Sequence, residues 1–176
     1  ILLEGDNNLW HIYNELQKFI ACSGEDQPAI TLEIVEDLQA VDSPGNVFKL
    51  TDSLAEGDGS TALDRLNRLL RHREPPLKIL FMITRHFRLL LETCSLQEAG
   101  THPRQLAGEL KVHPFVAQKL HRQASFYSRQ ILEEIMLGLH DCDLKIKTGQ
   151  IDPEQALKIT LGWICSLHPQ NTAADG

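Results

Sequence analysis

PPLKILFMITRHFRLLLETC, residues 75–94, decides the fold. Pro75 and Pro76 suit the first turn of a helix, where a missing N–H has no partner to lose. No Gly or Pro follows until Gly100, and Leu, Ile, Met and Arg dominate the run, so propensity and length both predict a helix. At about 100° per residue, Leu80, Ile83, Phe87, Leu90, Leu91 and Cys94 share one face. Lys78, Arg85, Arg88 and Glu92 share the other, and Phe81, Met82 and Leu89 intrude into it. A helix apolar nearly all round is covered on more than one side. It sits at the centre of a bundle or meets a partner with its second face.

Working outward, every neighbouring segment is also helical in pattern. Upstream, Ser60 opens a helix with Leu63, Leu66, Leu69 and Leu70 on one side and Arg65, Arg68, Arg71 and Arg73 on the other. Before it, Asn46 caps a helix through Val47, Leu50 and Leu54 that stops at Gly57. The turn cluster VDSPGN, residues 41–46, marks a domain boundary. Ahead of that lie a helix over about residues 7–21, capped by Asp6, and a short one capped by Thr31. Downstream, a short helix over 103–110 and the tight turn KVH lead to a helix from Pro114 through Val116, Leu120 and Ala124. Ser128 caps a long helix with Ile131, Ile135, Leu139, Cys142 and Ile146 in line, ended by Gly149. Asp152 and Pro153 open the last, which runs to about residue 167. The tail PQNTAADG has nothing to pack with and is expected to be mobile. No stretch alternates with period two, so the expected class is all-α, with about eight helices joined by short connections.

The chain has 176 residues, 42% of them hydrophobic, enough for a real core. No apolar run approaches the roughly 20 residues that span a bilayer, and no secretory signal opens the chain. It starts without Met and reads as a piece of a longer protein. Net charge is −7, unevenly spread. Residues 1–60 carry 12 acids and 2 bases, residues 61–130 carry 5 acids and 12 bases, and residues 131–176 carry 7 acids and 3 bases. The acidic whole argues against an autonomous nucleic-acid binder, while the basic middle allows local phosphate contact. Cys22, Cys94, Cys142 and Cys165 stand far apart with no C-x-x-C pair. They read as small buried hydrophobes of a reducing cytoplasm.

Chemical motifs are sparse. There is no G-x-x-x-x-G-K-[ST] and no G-x-G-x-x-G, and GDGS at 57–60 reads as a helix stop followed by a helix start. No H-E-x-x-H occurs. His140 and Asp143 share a helix face but make only two ligands, where zinc needs three or four. No G-x-S-x-G or other nucleophile signature appears. No catalytic residue, metal or cofactor is therefore assigned. The acids at 33, 36, 37 and 42 read as a solvated face. LAGELKVHPFVAQKL, residues 106–120, has the apolar spacing of a helix-turn-helix, which would turn Phe115, Gln118, Lys119 and Arg122 outward. Residues 103–125 could thus be a DNA-reading module, or a packing unit common in all-α proteins. Asp143 and Lys147 form an i,i+4 pair at a helix end. Lys145 and Lys147 also suit the negative end of the helix dipole, with phosphate contact as the sharper reading.

Three stretches in order resemble one family: NVFKLTDSLAEGDGSTALDRLNRLL (46–70), ILFMITRHFRLLLE (79–92) and ELKVHPFVAQKLHRQASFYSRQILEEIMLGLHDCDLKIKTG (109–149). Together they are similar to the C-terminal half of the bacterial DNA polymerase III delta-subunit family, clamp-loader components. Arg85, Phe87 and Arg88 match its aromatic–arginine run, Phe115 its aromatic after Pro, and Asp143, Lys147 and Gly149 its D-x-x-x-K-x-G ending. The resemblance implies a helical lid of an AAA+-like module over residues 1–43 and a helical collar over 44–168, which leaves residues 169–176 as the tail expected to be mobile. It implies a cytoplasmic bacterial protein of DNA replication, without catalysis of its own, within a holoenzyme that is a DNA-directed DNA polymerase. The collar would join delta prime and gamma/tau type subunits in a pentamer that loads the sliding clamp on primed DNA. The clamp would be touched through the family's first domain, absent from these residues. Phe81, Met82, Arg85, Arg88, Leu89 and Phe115 are the expected subunit-interface residues. Lys119, Arg122, Lys145 and Lys147 are the expected DNA-proximal ones.

Overall fold

A computed structural model describes residues 44–169. The chain divides into two compact units between Asn46 and Val47, and the helical bundle belongs to the second. The helices expected over 7–21 and from Thr31, and most of the C-terminal tail, lie outside the described residues. Among those described there are seven helices and no strand: α1 (Pro44–Ala55), α2 (Gly59–Arg71), α3 (Pro76–Glu98), α4 (Leu106–Glu109), α5 (Pro114–Ala124), α6 (Arg129–Lys147) and α7 (Pro153–Ser166). The all-α expectation holds. No helix among them is long and apolar enough to cross a membrane.

The 75–94 stretch is the axis of the bundle. α3 packs against α5, α6 and α7, while α2 lies on α7 and α4 on α5. Its inward side is Ile79, Leu80, Ile83, Phe87, Leu90, Thr93 and Cys94. Leu91, expected on that face, is only half-buried, and Thr93 is buried because its hydroxyl donates to the Leu89 carbonyl at 2.6 Å. This intrahelical bond removes the cost of enclosing a hydroxyl. α6 offers Leu132, Ile135, Leu139, Cys142 and Ile146, the expected stripe moved on by one residue at its start. α7 comes close because Gly138 carries no side chain. A Cβ there would lie 2.2 Å from Trp163 Cη2.

Several local expectations shift. α1 begins at Pro44, so Asn46 sits inside its first turn rather than capping it. The cap of α2 is Asp58, whose carboxylate accepts from the Thr61 amide at 3.0 Å, and Ser60 is already within the helix. Thr61 and Ser60 together hold the Asp58 carboxyl below its ordinary pKa. The buried face of α2 is Ala62, Leu66 and Leu69, leaving Leu63 exposed. Arg65, expected in solvent, turns inward and donates to the Lys49 carbonyl and, at 2.7 Å, to Ser53 Oγ. The 103–110 helix shrinks to one turn, Leu106–Glu109. Ser128 and Asp152 cap α6 and α7 as expected.

Five helices end with a residue in the left-handed conformation, where backbone amides reach back to the last carbonyls. α1, α3 and α6 place Gly57, Gly100 and Gly149 at that position, but α2 and α4 place Arg73 (φ 60°) and Lys111 (φ 52°) there. A Cβ costs roughly 1 kcal/mol in that conformation. Arg73→Gly and Lys111→Gly are each expected to stabilise by about 0.5 kcal/mol after the extra chain entropy of glycine is subtracted. Urea midpoints of the two variants against wild type check this, and a lower midpoint would contradict it.

Candidate functional site

The outward side of α3 is built by helical spacing alone. Leu77, Phe81, Arg85 and Arg88 follow one another at one-turn intervals and all are exposed, Phe81 at 65%. Met82 and Leu89, expected beside them, are half-buried and pack on the core. Phe115 is 66% exposed but stands on α5, with Lys119 Nζ 5.6 Å from its ring centroid.

Between α3 and α6 runs a groove of about 370 Å³. α3 contributes Leu77, Phe81, Thr84 and Arg88 to it, and α6 contributes Met136, His140, Asp143 and Lys147. Leu80 and Leu139 form the floor. The fold thus brings together Phe81, Arg88 and Lys147, named from separate stretches of sequence, and leaves Phe115 apart from the groove.

The four expected DNA-proximal cations each have a carboxylate within the chain. Lys145 lies 2.6 Å from Asp141 and Lys147 2.6 Å from Asp143, both one turn apart on α6. Lys119 reaches across to Asp52 at 2.7 Å and Arg122 to Glu56 at 2.6 Å, so α5 is fastened to α1 and the turn after it. Val116, expected to point inward, is exposed, and the buried side of α5 is Ala117, Leu120, Gln123 and Ala124. Within the expected helix-turn-helix, Gln118 and Phe115 face outward, while Lys119 lies beside its ion pair with Asp52.

Gln123 was not visible as a core residue, yet it joins three helices. His86 Nε2 donates to Gln123 Oε1 at 3.1 Å, and Gln123 Nε2 donates to Asp52 Oδ1 at 3.3 Å. Lys119 shares the same carboxylate. The signal lies in Asp52/Glu56 and Lys119/Gln123, matched i,i+4 pairs on two segments, but nothing in either alone names the other.

Burial lowers the His86 pKa to about 4, opposed in part by Asp52 and Gln123. The folded state therefore holds this ring neutral where the unfolded chain, near 6.5, would take a proton. Stability is full above about pH 6.5 and falls as the pH drops toward 4, because the unfolded state then binds the extra proton. For a half-buried ring the loss is about 1–2 kcal/mol. Thermal unfolding of wild type and His86→Asn between pH 4 and 7 tests it, the variant showing the shallower decline.

Reactive chemistry finds little support. Among the described residues no group of three His, Cys, Asp or Glu is placed to hold a metal. Burial raises the pKa of the Cys94, Cys142 and Cys165 thiols, the opposite of an activated nucleophile.

The family described as DNA polymerase III delta subunit, C-terminal domain, matches residues 44–162, which are α1 through most of α7. The chain belongs to that family. The DNA polymerase III subunit delta of Bacillus subtilis is 33% identical over 161 residues, 92% of this chain and 46% of its own length. Among solved structures, the Bacillus subtilis DNA clamp loader delta protein superposes with a TM-score of 0.66 at 32% identity, covering 90% of this chain and 46% of that one. The chain spans about half the length of these delta relatives. The family assignment places the exposed α3 stripe and the α3/α6 groove on the delta C-terminal domain.

Proposed function

We propose that this chain acts by assembly, as the non-catalytic C-terminal portion of a clamp-loader delta subunit. Residues 44–168 form its collar and residues 1–43 the helical lid before it. The observation that carries the reading is the outward stripe of α3. A central bundle helix presents Leu77 and Phe81 to solvent beside two arginines without an ion pair among the described residues. Exposed aromatic and arginine side chains are what protein interfaces use. The partners are the collars of delta prime and gamma/tau type subunits, in a cytoplasmic bacterial pentamer that loads a sliding clamp on primed DNA. The clamp itself is met through the family's first domain. DNA is met within the assembled complex, near the basic middle of the chain, with no membrane involved.

Native mass spectrometry of the chain titrated with the other loader subunits tests the reading, with a defined heteromeric complex expected. A chain that stays alone at micromolar concentrations of every partner would sink it.

The helix-turn-helix reading of residues 103–125 is disfavoured by the ties of Lys119 and Arg122 to Asp52 and Glu56. A DNA reader needs those side chains for the groove. Duplex and primed-template titrations across a salt series should show weak binding that salt erases. Tight, sequence-dependent binding lost in Lys119→Ala and Arg122→Ala would reverse the choice.

A further inference from the structure

The α3/α6 groove has two properties that together select an occupant. Its floor and walls are apolar, from Leu77, Leu80, Phe81, Met136 and Leu139. Its charge is positive, because the one acid lining it, Asp143, is held by Lys147 at 2.6 Å, which leaves Arg88 unopposed. Five other cations of this surface are held by carboxylates: Lys78 by Glu74, Lys119 by Asp52, Arg122 by Glu56, Arg129 by Glu133 and Lys145 by Asp141. Arg88, which lines the groove, and Arg85 one turn before it have no ion pair among the described residues. A phosphate backbone would use the arginines and waste the apolar floor. Two helices packed side by side also leave a channel into which the side-chain ridge of a third helix fits.

We propose that the α3/α6 groove seats an acidic amphipathic helix of a partner collar, with an aliphatic or aromatic side chain in the groove and a carboxylate on Arg88. This rests on the assembly reading and names the surface and the partner chemistry within it. Arginine and carboxylate pair through two parallel N–H···O bonds, which fixes the helix in register as well as attracting it.

The test reconstitutes the chain with the other loader subunits of its own organism. Wild type is set beside Phe81→Glu, Arg88→Glu and, on α7, the exposed Ile159→Glu, with circular dichroism and thermal unfolding confirming that each variant folds. Phe81→Glu and Arg88→Glu are expected to weaken assembly by at least about tenfold, and Ile159→Glu to leave it unchanged. Arg88→Lys supplies an amine for zero-length carbodiimide coupling, and the expected cross-link joins residue 88 to an Asp or Glu on a partner helix. A wild-type complex indifferent to Arg88→Glu, or cross-links from Arg88→Lys to no partner carboxylate, would overturn the groove proposal and leave assembly standing. No wild-type complex at all would overturn the assembly reading and the groove with it. Protection of the groove by primed DNA instead of protein would show a nucleic-acid surface and also overturn it.

Discussion

Phe87→Ala is expected to lower the stability of the bundle by about 3–5 kcal/mol. Phe87 is fully buried at the middle of α3, the helix that three others touch. Its ring meets the edge of Tyr127 at 6.2 Å between centroids and 83°. The Tyr127 hydroxyl in turn donates to the Ala55 carbonyl at 3.1 Å, at the end of α1. Removing the ring therefore opens a cavity and also takes the support from a phenol that holds a third element. Burial raises the Tyr127 pKa, so it stays a hydrogen-bond donor across the physiological range. Phe87→Leu, which leaves less empty volume, should cost about 1–2 kcal/mol. Urea unfolding followed by far-UV circular dichroism would measure both. A loss below about 1 kcal/mol for Phe87→Ala would mean that the core does not close around this ring.

The second large effect is expected at a helix end. Gly57 has φ +75°, and a Cβ on it would lie 2.5 Å from His168 Nδ1 and 2.6 Å from Cγ. The His168 ring cannot easily retreat. It is 1% exposed, and it meets Tyr127 edge-on at 5.2 Å and Phe126 at 5.8 Å. Gly57→Ala combines left-handed strain of roughly 1–2 kcal/mol with overpacking of roughly 1–3 kcal/mol. The expected loss is about 2–5 kcal/mol. The double variant Gly57→Ala/His168→Ala should recover the overpacking part and keep the strain, so the two causes separate in one thermodynamic cycle. Equal losses in wild-type and His168→Ala backgrounds would show that His168 does not press on this turn.

The one-dimensional pattern was legible at caps, at stops and along a long regular stripe. The caps Ser128 and Asp152, the stop at Gly57 and the stripe of α6 follow from local chemistry, which needs no knowledge of the partner helix. The pattern failed where a small residue takes the core position beside a larger apolar one. Leu63 and Val116 count as apolar in any periodicity, yet Ala62 and Ala117 take the core positions because small side chains let the helices approach. Arg65 and Gln123 failed for the complementary reason. Both are polar, and each becomes an inward residue only because a carbonyl, a hydroxyl or a carboxylate partner waits on another helix. Of the candidate surface, Phe81, Arg85 and Arg88 were readable as an apolar and basic intrusion on one helix face. The groove was not, since half its lining comes from α6, a separate stretch of the chain.

The packing of α2 on α7 has a consequence for how the protein is made. α2 leaves the ribosome early, with Ala62, Leu66 and Leu69 bare, but the surface that covers them is carried by the last described helix. At about 5–20 residues per second, translation of the intervening helices takes several seconds. Through that interval the nascent chain shows an uncovered leucine stripe flanked by Arg65, Arg68 and Arg71, the kind of segment that holding chaperones bind. α3, α5 and α6 can close on one another before α7 appears, whereas α2 must wait for it. Synonymous codons that slow the ribosome between α6 and α7 should therefore lower the yield of folded protein, and pauses placed after α7 should not.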